Sequence, residues 1–148
     1  MKSWIRIVLG LLIVAILTGI YIYFFVYNKQ HPDFESEPAV YSLNAGTVFR
    51  SFRNNPEAAS RIFNGKMIGL TGPVSAVEQT DSLVTVVFVY GQGLFGDEGI
   101  RITMLPGNRE KALGLSLGAV VTVKGYCTGY NETDVILEQG SVVGNDLK

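Results

Sequence analysis

The feature that most constrains this chain is an uncharged, apolar run of 21 residues near its start, from Ile7 to Tyr27. A helix rises about 1.5 Å per residue, so a helical run of this length spans roughly 30 Å, the thickness of a bilayer's hydrocarbon core. Trp4 precedes the run and tyrosines gather at its far end, the two places where aromatic rings favour the membrane interface. We therefore interpret residues 1–27 as a cytoplasmic stub and a transmembrane anchor.

Flanking charges predict the orientation of this anchor. Lys2 and Arg6 precede the run and Lys29 follows it, a modest bias that favours an N-terminus inside the cell. The rest of the chain is then expected on the periplasmic or extracytoplasmic side of the inner membrane. A cleaved signal peptide is the alternative, but its apolar region usually has about 7–15 residues and ends in small residues. Here the run is longer and ends in Tyr-Phe-Phe-Val-Tyr, which favours an uncleaved, single-pass anchor.

The remainder of the chain divides into a tether and one domain. Residues 28–41 carry two prolines and several charges without an apolar period, which predicts a tether. Residues 42–148 then form one domain. From Pro32 to Lys148 the chain has 9 Lys and Arg against 13 Asp and Glu, a net charge of 9 − 13 = −4. Such a domain lacks the basic footprint of proteins that wrap polyanions.

Two short helices are predicted at the start of this domain. Asn44 is a capping residue for a first helix that reaches about Arg53, and Asn55-Pro56-Glu57 starts a second helix that ends at Gly65. Their predicted apolar faces comprise Val48, Phe49, Phe52, Ala58, Ala59, Ile62 and Phe63. The opposite side carries Arg50, Arg53 and Arg61. These arginines form a solvent-exposed outer face, or alternatively they bind an anionic partner or lipid headgroups.

After Lys66 the apolar period changes from helical to alternating, which predicts strands. Five strands are expected, at residues 67–79, 83–90, 100–104, 119–127 and 134–143. The first is long and contains Gly72-Pro73, which indicates a bulge or sharp bend. A short helix or irregular link at 106–115 separates the third strand from the fourth. The fold class predicted is mainly β, a five-stranded OB-fold-like barrel preceded by short α-helices; an open sheet or a sandwich stays possible.

Two segments of the strand region resemble a known family. Residues 65–74, GKMIGLTGPV, resemble the G-K-x-I-x-V-x-G-x-V opening strand of the tRNA_anti-like OB-fold proteins, a bacterial family of membrane-anchored proteins and lipoproteins. Residues 117–129, LGAVVTVKGYCTG, with DVIL at 134–137, are similar to its closing segment. The resemblance covers about residues 44–143. It implies an OB-fold and, by fold analogy alone, nucleic-acid binding. A second cysteine often lies near position 140 in the family, where this chain has Gly140, so no cysteine pair is implied.

One glycine-rich segment matches a nucleotide-binding pattern by its letters. Residues 91–96, GQGLFG, fit G-x-G-x-x-G. A dinucleotide site needs a helix that opens at the last glycine, so that its amino terminus meets the pyrophosphate. Here Asp97 and Glu98 follow, and then another strand. We interpret the segment as a flexible hairpin loop.

The sequence offers little for catalysis or metal binding. His31 is the one histidine and lies in the predicted tether, and Cys127 is the one cysteine. Metal sites need clustered ligands, and a nucleophilic Ser or Cys needs a base. We therefore expect no metal, no cofactor and no enzymatic activity, with a hydrolase or haem carrier as the least supported class. Cys127 is expected to be a small buried apolar side chain.

The usual OB-fold binding surface supplies the candidate ligand-binding residues. They are Tyr90, Phe95, Arg101, Lys124, Tyr126 and Tyr130. Exposed aromatics beside a base suit single-stranded nucleic acid. The acidic residues Glu78, Asp81, Glu132 and Asp134 at the rim weaken phosphate binding. The leading hypothesis is a membrane-tethered binding module that presents a groove to an envelope protein, peptide or glycan. The alternative is a nucleic-acid-binding protein.

Overall fold

A computed structural model describes residues 2–23 and 38–145 of the 148-residue chain. The chain separates into two compact units, residues 1–33 and 34–148. The end of the predicted membrane span, His31 and most of the predicted tether lie outside the described residues.

The first unit contains one long helix, α1, at Lys2–Ile22. Its segment Trp4–Ile22 has a mean hydropathy of 2.5 and is fully exposed. Within the described ranges it is the one helix long and apolar enough to cross a membrane, a test that a signal sequence also passes. The hydroxyl of Thr18 donates to the Val14 carbonyl at 2.8 Å, so this polar group is satisfied within the helix. The prediction of an apolar N-terminal helix is confirmed.

Two capped helices open the second unit, as the sequence predicts. They are α2 at Ala45–Asn54 and α3 at Pro56–Phe63. The Asn44 side chain accepts a hydrogen bond from the Thr47 amide at 3.2 Å, and Asn55 caps α3 in the same way at 3.0 Å. Each cap satisfies an amide that has no partner inside its helix.

The apolar face of α3 is narrower than predicted. The buried residues of the two helices are Ala45, Gly46, Val48, Phe49 and Phe52 on α2, and Ala59 and Phe63 on α3. Ala58 and Ile62 are exposed, Ile62 to 46%. A two-turn helix places one i, i+4 pair on a given line of its surface, and here that pair is Ala59 and Phe63.

Seven strands form one sheet in the order β1-β2-β6-β7-β5-β4-β3. They are β1 Tyr41–Asn44, β2 Met67–Pro73, β3 Ala76–Thr80, β4 Leu83–Gly93, β5 Gly96–Met104, β6 Val120–Tyr130 and β7 Asp134–Asn145. The predicted count of five was wrong for two reasons. The long first strand is divided into β2 and β3, and β1 is an additional strand.

The division between β2 and β3 lies beside the predicted glycine-proline bend. Between them, the Val74 amide donates to the Ala119 carbonyl at 3.0 Å and the Ser75 amide donates to Val87 at 2.9 Å. The chain thus changes partners within two residues: β2 pairs with β6 and β3 pairs with β4. The bent segment that contains β2 and β3 therefore contributes strands near both ends of the strand order. No pairing between described strands closes the sheet into a ring.

The predicted tether ran to residue 41, but β1 begins there. Tyr41 pairs with Ile68 and the four-residue strand runs parallel to β2. Tyr41 and Leu43 pack against the core, while Ser42 and Asn44 are exposed. Four residues that end on the helix cap Asn44 carry too short an alternation to be recognised as a strand, and a parallel pairing leaves no hairpin signal.

The glycine-rich segment between β4 and β5 is paired rather than a loop. Gly91 lies opposite Glu98 and Gly93 opposite Gly96, so only Leu94 and Phe95 form the tip. Strand β5 follows this segment, where a dinucleotide site would need a helix.

The core lies on the inner face of the sheet. Its strand residues include Val84, Val86, Phe88, Ile100, Ile102, Val121, Val123, Val135 and Leu137. A 3₁₀ turn at Pro106–Asn108 and helix α4 at Arg109–Leu113 form the predicted link between strands. Cys127 is fully buried in this core, and burial raises the pKa of its thiol to about 11.

Candidate binding surface

Arg101 lies on the outer face of β5, between Ile100 and Ile102 of the inner face. Its Nε donates to Asp134 Oδ2 at 2.9 Å, and its Nη1 donates to Glu78 Oε2 at 2.7 Å. The other oxygen of Asp134 accepts the Gly99 amide at 3.0 Å. The parallel pairing of β5 with β7 brings Asp134 beside Gly99. The guanidinium of this candidate residue is thus held by two carboxylates.

The three charges of this cluster sum to −1. Burial lowers the pKa of Arg101, but its hydrogen bonds to Glu78 and Asp134 outweigh that effect and the net shift is upward. The Asp134 side chain is 10% exposed, whereas Glu78 is 51% exposed. Arg101 is the one base in the sequences of β3, β4 and β5. The outer surface of these strands therefore presents its one cation already neutralised.

Tyr90 and Tyr130 pack against helix α2. The Tyr90 ring is stacked on Phe49 with centroids 6.0 Å apart. The Tyr130 ring lies 5.7 Å from Phe52 in a tilted arrangement. Both tyrosines are partly buried against the core. They cover apolar surface of the domain, and the faces turned to α2 are occupied.

The hydroxyls of the two tyrosines have different surroundings. The Tyr90 hydroxyl is buried without a hydrogen-bond partner of ordinary geometry. Burial raises its pKa, and the nearby Gly46 backbone and Arg50 offset only part of that shift. The Tyr130 hydroxyl instead donates to the Glu132 carbonyl at 2.8 Å.

Gly72 makes room for the Tyr90 hydroxyl. A Cβ atom at Gly72 would clash with that oxygen, because it would lie closer than real side chains approach. The bend in the first predicted strand therefore also leaves space for the Tyr90 side chain of β4. The glycine has a packing role that its turn-like sequence context did not reveal.

Phe95 occupies the tip of the β4–β5 hairpin. It is 96% exposed and its neighbour Leu94 is 98% exposed. The flanking glycines pair with each other across the hairpin, so the two side chains stand at a hydrogen-bonded strand end. Leu94 was not among the predicted residues, although its place beside Phe95 between glycines was visible in the sequence.

Lys124 and Tyr126 lie on β6. Lys124 is opposite Ser141 and Tyr126 is opposite Glu138, and both candidates are partly buried. The six predicted residues thus occupy separate parts of the domain: beside α2, on the outer face of β5, at the hairpin tip and along β6. Their role in binding stays a prediction.

One ion pair links the arginines of α2 to the hairpin. Arg53 Nη1 lies 3.4 Å from Glu98 Oε2. A Cβ at Gly91 would lie 2.9 Å from the same Arg53 nitrogen, so the arginine reaches over this glycine. Arg50 donates to the Thr47 hydroxyl at 3.3 Å within α2. Sequence reasoning treated these arginines as a helix face and missed the contact with the hairpin.

Metal ligands are not clustered in the described part of the chain. Among residues 2–23 and 38–145, no three His, Cys, Asp or Glu side chains are placed to hold a metal ion. The Cys127 thiol lies 3.6 Å from the Asn64 side-chain oxygen, to which it donates.

Several solved structures match this chain. A lipoprotein from Klebsiella pneumoniae, described as a candidate nucleic-acid-binding protein, superposes with a TM-score of 0.57 at 19% identity, over 78% of this chain and all of that one. Asparaginyl-tRNA synthetase from Pyrococcus horikoshii matches with a TM-score of 0.43 at 16% identity, over 72% of this chain and 23% of that one. A comparison with curated proteins found no match.

The family comparison covers nearly the whole sequence. The tRNA_anti-like family matches residues 1–142, which include both segments on which the resemblance was recognised. The mainly β architecture and the OB-fold-like neighbour agree with this assignment. The chain belongs to the tRNA_anti-like family.

Proposed function

We propose that this protein is a non-enzymatic binding module, held at the inner membrane by α1, whose OB-fold-like domain presents a groove to an envelope partner. The partner is a protein, peptide or glycan rather than a nucleic acid. The observation that carries this choice is the arrangement of Arg101 between Glu78 and Asp134. Phosphate contacts usually supply most of the affinity for nucleic acid, and the one base of these strands is already paired.

The hairpin tip supports the same choice. Leu94 and Phe95 are almost fully exposed, whereas the acids Asp97 and Glu98 follow directly in β5. An apolar pair beside carboxylates suits a protein or the apolar face of a sugar better than a polyphosphate backbone. We infer that the partner contacts the tip and the outer face of β5.

The location of the domain is part of the proposal. The apolar α1 is exposed along its length, and the basic residues near the N-terminus favour that end inside the cell. The similarity to a lipoprotein fits attachment to a membrane. The domain would then lie in the periplasmic or extracytoplasmic space.

Nucleic-acid binding is the second candidate, because one similar structure carries that description. Both candidates use the same surface, so one experiment separates them. The full chain, in non-ionic detergent, is incubated with labelled single-stranded DNA at low and at moderate salt in a filter-binding assay. We expect no binding that depends on salt.

Salt-sensitive binding of the DNA would contradict the proposal, above all if Arg101→Ala or Tyr126→Ala weakened it. Arg61→Ala is the matched control, since Arg61 is an exposed arginine of α3, away from these strands. A reporter fused to the C-terminus tests the location separately. Periplasmic reporter activity is expected, and cytoplasmic activity would overturn the orientation.

A further inference from the structure

A cavity of about 360 Å³ lies at the α4 end of the domain, away from the hairpin tip. Its apolar wall comprises Leu83 at the start of β4, Met104 at the end of β5, and Pro106 of the 3₁₀ turn. Its polar wall includes Arg109 of α4 and Glu138 of β7. Small-molecule pockets commonly enclose about 300–1,000 Å³, so the cavity is large enough for a small ligand or a single residue of a peptide.

Arg109 is a cation without a partner in this cavity. Its Nε is buried and makes no hydrogen bond within the described residues. No carboxylate of the described residues lies within 4.0 Å of its guanidinium, in contrast to Arg53 and Arg101. The charge of Arg109 is therefore not neutralised by a described carboxylate, and an anion from outside the chain would stabilise it.

The backbone beside Arg109 is irregular in a way that shapes the cavity. Gln139, which also lines it, has a left-handed conformation with φ of 55°. The pairing of β7 with β5 shifts register here, between Ile102 and Met104. A non-glycine residue in this conformation is strained, and such residues and bulges are over-represented beside functional sites.

The irregular segment is fixed in place by its neighbours. The Leu105 amide donates to the Gly140 carbonyl at 2.8 Å, which ties the 3₁₀ turn to the bulge. A Cβ at Gly140 would lie 2.7 Å from Ile102 Cγ2, so the glycine allows the two strands to approach closely. The buried Asn108 accepts the Val142 amide at 3.3 Å through Oδ1. The cavity walls are therefore preorganised.

We propose that this cavity binds a single carboxylate carried on a small apolar group. Arg109 supplies the charge-assisted hydrogen bonds, for which a carboxylate has the matching geometry. Leu83, Met104 and Pro106 contact the apolar group. The exposed Glu138 repels a second negative charge, so phosphate monoesters and dicarboxylates are disfavoured. The ligand is either the C-terminus of a peptide or a free short-chain acid.

This site goes beyond the proposed function, because it uses none of the residues placed on the outer face near Arg101 or at the hairpin tip. Its failure would leave the binding surface of Arg101 and Phe95 untouched. In the same way, DNA binding at that surface would not bear on the cavity.

The test is an NMR titration of the full chain in detergent micelles, with ligands that differ in one property. N-acetyl-L-leucine represents a peptide C-terminus, butanoate represents a free acid, and N-acetyl-L-leucinamide lacks the carboxylate. Inorganic phosphate is the doubly charged anion. We expect saturable shifts of the Arg109 Nε–H and of the Gln139 amide with at least one carboxylate, and none with the amide.

The two carboxylates separate the possible sources of the ligand. Tighter binding of N-acetyl-L-leucine indicates a peptide C-terminus, and equal or tighter binding of butanoate indicates a free acid. Shifts with neither carboxylate, equal shifts with the amide, or phosphate binding as tight as the carboxylates would overturn the proposal.

Variants assign the effect to the cavity. Arg109→Gln is expected to weaken carboxylate binding by at least about tenfold, the loss of one charge-assisted hydrogen bond. Arg61→Gln, at an exposed arginine of α3, is the matched control and should bind normally. Unchanged affinity in Arg109→Gln would overturn the proposal. Should Arg109→Gln fail to fold, Glu138→Gln decides: it should strengthen phosphate binding several-fold, and no change would count against the site.

Discussion

Tyr90 and Leu94 are four positions apart on the same hairpin, yet they lie in opposite environments. Tyr90 stacks on Phe49 of α2, with its hydroxyl buried over Gly72. Leu94 and Phe95 are 98% and 96% exposed at the tip. The part of β4 around Tyr90 therefore belongs to the packed region beside α2, and the hairpin tip is a presented surface. Large apolar residues a few positions apart in one strand pair are thus divided between core packing and exposed surface.

The largest expected effect is at the packed region. Phe52 is fully buried between Phe63 and Tyr130, so Phe52→Ala should lower the free energy of unfolding by about 3–5 kcal/mol. Urea denaturation of the full chain in detergent measures it. Phe95→Ala is the control from the presented region and should stay within about 0.5 kcal/mol of the natural protein. Similar losses of unfolding free energy in Phe52→Ala and Phe95→Ala would contradict the distinction between the packed region and the presented tip.

Alkaline pH should also destabilise the packed core through Cys127. The pKa of its buried thiol is raised to about 11, from 9.0. In the unfolded chain the thiol ionises near its ordinary pKa, so its contribution to stability is present below pH 9.0 and is lost as pH rises toward about 11. A two-unit shift corresponds to about 3 kcal/mol.

Unfolding titrations at several alkaline pH values test this loss. Burial also raises the pKa values of Tyr90 and Tyr130, so the measurement compares the natural protein with Cys127→Ala. The variant should lose less stability between pH 9 and about 11. Parallel pH profiles would show that the thiol does not contribute.

A smaller effect is expected where the bent strand meets Tyr90. Gly72→Ala should cost about 1–3 kcal/mol, because its new methyl group would clash with the Tyr90 hydroxyl. Adding Tyr90→Phe should restore part of the loss. Gly107→Ala is the control, since a Cβ there meets nothing within 4 Å. Thermal or urea unfolding of Gly72→Ala, Tyr90→Phe and the double variant measures the coupling, and purely additive changes would contradict the contact.

The smallest effect separates two tyrosines of the packed region by their hydroxyls. The Tyr90 hydroxyl is buried without a hydrogen-bond partner of ordinary geometry, so Tyr90→Phe should be neutral or stabilise the protein by up to about 1 kcal/mol. The Tyr130 hydroxyl donates to Glu132, so Tyr130→Phe should cost about 0.5–1.5 kcal/mol. If Tyr90→Phe lowered the free energy of unfolding as much as Tyr130→Phe does, the Tyr90 hydroxyl would have a hydrogen-bond partner in solution.

Local sequence signals predicted the parts of the fold that depend on neighbours along the chain. The caps Asn44 and Asn55 precede their helices as expected, and Gly72-Pro73 marks the bend of the first strand. The family resemblance supplied the OB-fold. The division into β2 and β3 was not predictable, because it depends on the partner strands β6 and β4 on either side of the bend.

The candidate site could be predicted less well, because side-chain direction decides it. Alternation from Val84, Val86 and Phe88 does place Tyr90 inward, but the run has too few polar residues to show which face is the core. For Tyr130 the alternation fails outright, since β6 and β7 shift register between Cys127 and Gly129. Asp134 is 33 residues from Arg101, and only the parallel pairing of β5 and β7 joins them.

Crosslinking in intact cells tests the central claim, that this domain presents its tip to an envelope partner other than nucleic acid. A photoreactive phenylalanine analogue replaces Phe95, with the same replacement at the exposed Ile62 of α3 as the control. We expect an adduct from position 95 that resists nuclease and is removed by protease or glycosidase, and no such adduct from position 62. A nuclease-sensitive adduct at position 95, or equal adducts from both positions, would contradict the account.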